Sequence, residues 1–157
     1  RSPLEQIVDS KGAPSVRNNL IATATRNAQV SLLDARNGQL MWSLDADAYP
    51  GALLAFNAVT VVETDGTISA YSAQSGESLW TNEALKYREL SPPAIIADSI
   101  GVVDLEGELH LLDPVNGSIV GRLDVGGDKG KVAPVVVQNG VLVQLLDGRL
   151  SRVEVIR

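Results

Sequence analysis

The sequence predicts an all-β fold, a β-propeller arc of about four four-stranded antiparallel blades, and three observations support that prediction. A turn-and-strand stretch, Leu33-Asp34-Ala35-Arg36-Asn37-Gly38-Gln39-Leu40-Met41-Trp42, returns as Tyr71-Ser72-Ala73-Gln74-Ser75-Gly76-Glu77-Ser78-Leu79-Trp80. It returns again as Leu112-Asp113-Pro114-Val115-Asn116-Gly117-Ser118-Ile119-Val120-Gly121, so Gly38, Gly76 and Gly117 step by 38 and 41 residues. Acid–glycine pairs at Asp65-Gly66, Glu106-Gly107 and Asp147-Gly148 step by 41 and 41, and Pro14, Pro93 and Pro134 share one phase. A period of roughly 40 residues in a chain of short β segments is the length of one propeller blade.

Residues 1–12 are polar and close with Ser10-Lys11-Gly12, which reads as a connector in the phase of a preceding blade's last strand. The blades are expected at about 13–45, 51–85, 91–125 and 133–157, the last incomplete. In the first, segments 15–16, 20–25, 29–34 and 39–44 have strand length and are bounded by polar or glycine turns. Proline suits the start of a strand, where its missing N–H need not break the ladder. Gly66, Gly107 and Gly148 are expected at tight hairpin turns, because glycine accepts positive φ without steric cost. After each turn, Ile68, Leu109 and Leu150 share one phase and Tyr71, Leu112 and Val153 another, giving the two apolar faces that stacked blades require. Trp42 and Trp80, four residues past their turn glycines, are expected between blades as locks of the stack. Gly121 replaces tryptophan in the third repeat, and the chain reads as a piece of a longer protein that stops before its ring closes. An open arc of this kind is expected to self-associate through its uncovered sheet faces and edge.

Composition narrows the function. The formal charge of −6 and a pI near 4.7 argue against a nucleic-acid or anionic-membrane surface. With no cysteine, disulfides, thiolate metal sites and a cysteine nucleophile are excluded. His110 is the single histidine and reads as a hydrogen-bonded strand residue, because a zinc site or an oriented catalytic base needs companions. Gly126-Gly127-Asp128-Lys129-Gly130-Lys131 lacks P-loop spacing and the Ser or Thr that follows it, so it reads as an inter-blade connector. Asp34 and Asp113 precede the turn glycines, where a carboxylate accepts backbone N–H bonds; they and Asp45-Ala46-Asp47 do not make a dense calcium loop. No catalytic, cofactor-binding or metal-binding residue is therefore assigned. The connector Leu85-Lys86-Tyr87-Arg88-Glu89-Leu90 is the loop best suited by composition to partner contact, with Tyr87 and Arg88 as anchors.

These turns resemble the quinoprotein-like (PQQ-like) propeller repeat. Leu79-Trp80-Thr81, Ser91-Pro92, Asp104-Leu105-Glu106-Gly107-Glu108-Leu109-His110 and Asp147-Gly148-Arg149-Leu150 resemble, within it, the BamB family of outer-membrane assembly factors. The resemblance covers the whole chain and implies half of an eight-bladed propeller. It also implies a non-enzymatic periplasmic lipoprotein, anchored through a cysteine outside this sequence, that binds the POTRA domains of the barrel subunit BamA and assists outer-membrane β-barrel proteins. An Asp-x-Asp pair ahead of one blade's first-strand proline contributes to that contact in the family; counted back from Pro14 it matches Asp9, while Lys11 stands at the second position. A quinone-dependent dehydrogenase on the same fold would need calcium ligands, a tryptophan floor and commonly a vicinal disulfide, which the absence of cysteine rules out. A ligand-sensing or adhesive propeller is the third reading, since one fold hosts many functions.

Overall fold

The computed structural model describes residues 13–25, 27–125, 135–137, 140–144 and 150–153. Its strands form four antiparallel sheets in chain order, each a meander in which neighbouring strands pair in sequence. The first sheet holds β1 (Ser15–Arg17), β2 (Leu20–Thr25), β3 (Gln29–Asp34) and β4 (Leu40–Asp45). The second holds β5 (Ala48–Ala55), β6 (Ala58–Glu63), β7 (Ile68–Ser72) and β8 (Ser78–Asn82). The third holds β9 (Ala94–Ile96), β10 (Ser99–Val103), β11 (Glu108–Leu112) and β12 (Ile119–Asp124). The described part of the fourth consists of β13 (Val135–Val137), β14 (Gly140–Gln144) and β15 (Leu150–Val153).

Pro14 and Pro93 stand immediately ahead of β1 and β9, where no ladder bond needs their nitrogen. Strand β5 starts at Ala48, three residues before the Gly51 from which the second repeat was counted. Its register slips between Ala48↔Glu63 and Gly51↔Val62, a bulge that lets the strand run back beyond the regular blade. A second slip recurs at one place in each complete blade, at Leu32/Leu33, Ala70/Tyr71 and Leu111/Leu112, where the third strand meets the fourth.

The side-chain period of two divides each middle strand between neighbouring blades. On β6, Val59 and Val61 pack with Ala22, Ala24, Val30 and Leu32 of the first blade. The alternate residues Ala58 and Val62 join Ile100, Val102 and Leu112 of the third. A further cluster of Ile96, Val103, Leu109 and Val125 lies on the third sheet's other face. The core is thus a series of apolar layers between sheets, as stacked blades require. Leu150, placed in phase with the buried Ile68 and Leu109, is 68% exposed.

Candidate interaction surface

The repeated stretch builds a turn whose bonds recur almost unchanged. Gly38, Gly76 and Gly117 take φ of 70°, 77° and 74°. Their N–H groups donate to the carbonyls of Asp34 (2.7 Å), Ser72 (2.8 Å) and Asp113 (2.8 Å). The side chain at that first position caps the turn: Asp34 Oδ1 accepts from Arg36 N at 2.9 Å, Ser72 Oγ from Gln74 N at 3.2 Å, and Asp113 Oδ1 from Val115 N at 2.7 Å. Hydrogen bonds from the Arg36 side chain and backbone hold the Asp34 carboxyl down at about 2. Three residues on, Asn37, Ser75 and Asn116 accept from Gln39, Glu77 and Ser118 in the same way.

Trp42 and Trp80 do lie between blades. Trp42 Nε1 donates to Ala73 O of the second blade at 3.0 Å, and Trp80 Nε1 donates to Pro114 O of the third at 2.9 Å. Each indole lies against the next blade's turn glycine; a Cβ on Gly76 would come within 3.0 Å of Trp42 Cδ2, and one on Gly117 would run into the Trp80 ring. These glycines serve twice, accepting positive φ and leaving room for a tryptophan. Gly121 has no ring to extend to a following turn.

The connector after β8 is stitched to two blades. Tyr87 N donates to Asp65 O (2.8 Å) on the β6–β7 turn, and Arg88 O accepts from Leu105 N (2.9 Å) on the β10–β11 turn. Beneath it, Gly66 at φ +91° is required sterically, because a Cβ there would sit 2.6 Å from Leu85 O. The two basic side chains turn onto carboxylates. Lys86 Nζ lies 2.9 Å from Glu83 and 3.5 Å from Asp65, while Arg88 Nη1 lies 2.8 Å from Asp104 and 3.7 Å from Glu108. Tyr87 is left 83% exposed with φ of +65°, and Glu89 follows at +50°.

Asp104, fully buried, is the hub below the connector. Its carboxylate accepts from Glu106 N and Glu108 N at 3.0 Å each, from Arg88 Nη1 at 2.8 Å and from His110 Nε2 at 2.8 Å. Burial pushes its acidity down, but the bonds from His110, the Glu108 N–H and Arg88 outweigh this and hold the carboxyl below its ordinary value. His110, also fully buried, is the hydrogen-bonded strand residue expected, and a carboxylate partner places its proton on Nε2. Asp104, Glu108 and His110 bring one ligand atom each within 4.8 Å of the others, a grouping that reading His110 alone did not reveal. The cation position beside Asp104 is taken by Arg88, so the arrangement is an ion-pair network. The β10–β11 register pairs Val102 with His110 and so brings Asp104 close to His110, but only the folded path of the connector adds Arg88.

A cleft of about 330 Å³ opens elsewhere, between the β1–β2 and β5–β6 turns, lined among others by Arg17, Asn18, Phe56 and Asn57. Asp9, Gly148 and the 126–131 glycine-rich stretch lie outside the described residues. Gly107 takes φ +82° at the β10–β11 turn, as predicted for the acid–glycine pairs.

A family profile described as outer membrane protein assembly factor BamB matches residues 1–154. The outer membrane protein assembly factor BamB of Pseudomonas aeruginosa is 33% identical over 150 residues, which are 96% of this chain and 40% of that protein. The crystal structure of BamB from Moraxella catarrhalis superposes with a TM-score of 0.82 at 29% identity, covering 92% of this chain and 43% of that one. The chain thus spans about 40% of the length of these relatives. A quinohemoprotein alcohol dehydrogenase from Comamonas testosteroni shares the fold alone, with a TM-score of 0.58, 19% identity and coverage of 73% of this chain and 21% of that one. A match across the whole stack of blades, joined to a shared fold, shows that the chain belongs to the BamB family of outer membrane protein assembly factors.

Proposed function

We propose that this chain is part of a non-enzymatic scaffold subunit of the outer-membrane β-barrel assembly machinery. In this reading its parent is a lipid-anchored protein at the periplasmic face of the outer membrane. It binds the POTRA domains of the barrel subunit BamA and helps hold unfolded outer-membrane proteins in a productive arrangement. The observation that supports it most is the family match along residues 1–154, over blades whose distinctive side chains are spent on architecture. Both tryptophans are tied to a neighbouring blade, and the buried His110 is tied to the buried Asp104.

Binding between the full chain and purified POTRA domains, measured by calorimetry, tests this reading. A saturable complex is expected, and no binding by the intact parent would discard it. Asp9, carried over by resemblance, belongs to that interface: Asp9→Lys is expected to weaken the complex by about tenfold, the scale of losing one charged contact. Unchanged affinity removes Asp9 from the interface and leaves the complex standing.

A further inference from the structure

We propose that the connector Glu83–Glu89 is a protein-docking surface anchored by Tyr87, fitting a partner face with a shallow apolar slot ringed by Lys and Arg. The inference rests on the assembly reading for the identity of its partner and on this chain's own geometry for its location.

Three observations converge on it. A tyrosine 83% exposed offers a large amphipathic side chain of the kind favoured as an interface anchor. It is not on a loose loop: the connector is bonded to the β6–β7 turn through Asp65 O, to the β10–β11 turn through Leu105 N, and to buried Asp104 through Arg88. Tyr87 is held at φ +65° and Glu89 at +50°, a left-handed conformation that non-glycine residues adopt at a cost. Glycine would relieve that cost at Tyr87, so a rigid, strained and exposed aromatic is better explained by what it meets than by what it supports.

The charge around Tyr87 states the partner's chemistry. Read from sequence, Lys86 and Arg88 suggest a basic loop, but folding turns both onto carboxylates. Arg88 keeps 41% of its side chain in solvent, but the most exposed charged groups are acidic and outnumber the two basic ones. Glu106 is 82% exposed and Glu83 65%, both within reach of the side chains flanking Tyr87, with Asp65 beside them and Glu89 next but one in the chain. An acidic ring about an aromatic knob is complementary to a basic rim about an apolar slot. Such a ring also predicts a salt-sensitive association.

The full chain and its variants are titrated against purified BamA POTRA domains, with thermal unfolding recorded in parallel. Tyr87→Gly is expected to bind about tenfold more weakly or worse while melting at the same or a higher temperature. Tyr87→Phe keeps the affinity. Paired Glu89→Lys and Glu106→Lys substitutions weaken binding and flatten its dependence on salt. Wild-type affinity in Tyr87→Gly overturns the docking surface and leaves the assembly reading intact. A lower melting temperature in Tyr87→Gly makes Tyr87 a structural residue and overturns the proposal as well. No binding by the unsubstituted chain removes the assembly partner, and the proposed occupant with it.

Discussion

Ala28 adopts φ +55° at the place where the second and third blades have Gly66 and Gly107. The correspondence is structural: Ala46 N donates to Ala28 O at 2.8 Å as Val125 N donates to Gly107 O at 3.0 Å. An L-residue in the left-handed region costs roughly 1 kcal/mol, because its Cβ crowds the following carbonyl. Ala28→Gly is therefore expected to stabilise the chain by a few tenths of a kcal/mol, up to about 0.5 kcal/mol, after the greater freedom of glycine in the unfolded chain is subtracted. A raised urea midpoint with an unchanged slope is the readout, and a lowered midpoint rejects this account. The converse change, Gly66→Ala, meets both positive φ and the Leu85 carbonyl at 2.6 Å, and is expected to cost about 2 kcal/mol. Acid–glycine spacing pointed to the turns at 66 and 107 but passed over 28, because alanine carries no turn signal; only φ reveals it.

Among local elements, the β10–β11 hairpin and the connector above it form a unit joined by Asp104. Backbone amides, His110 and Arg88 all donate to the same buried carboxylate, which Glu106 and Glu108 flank. A carboxyl held below its ordinary 3.8 in the fold contributes stability that is present above that value and is lost as pH falls through its folded value. Asp104→Asn keeps the shape but leaves Arg88 and His110 facing a neutral amide, with an expected loss of about 3 kcal/mol at neutral pH. Stability of the variant should also fall less steeply below about pH 4, where the wild-type group takes up its proton. Parallel acid limbs in the two proteins would show that Asp104 is not the source. This unit was half legible. Asp104 through His110 marked the family and His110 read correctly as a bonded strand residue, whereas Arg88 belongs to a loop whose path no periodicity encodes.

For the whole molecule, the blade count, the strand pattern and the interblade place of both tryptophans were legible, because each follows from a spacing that stacking imposes. What the spacing did not reveal is that each indole binds one carbonyl and one glycine of the next blade, which makes the junctions separable. Stability in a stacked repeat is close to a sum of blade terms and nearest-neighbour terms. Trp80 belongs to the layer that joins Val62 and Ile68 of the second blade to Ile100 and Leu112 of the third. Trp80→Ala removes that packing and the bond to Pro114 O, an expected loss of about 3–5 kcal/mol. The loss should fall on one junction, so amide exchange accelerates over β9–β12 while β1–β4 keeps its protection. Trp42→Ala, which cuts the bond to Ala73 O, should raise exchange in β1–β4 and spare β9–β12. Uniform acceleration along the chain in both variants would mean that the stack unfolds as one unit and that its junctions are not independent.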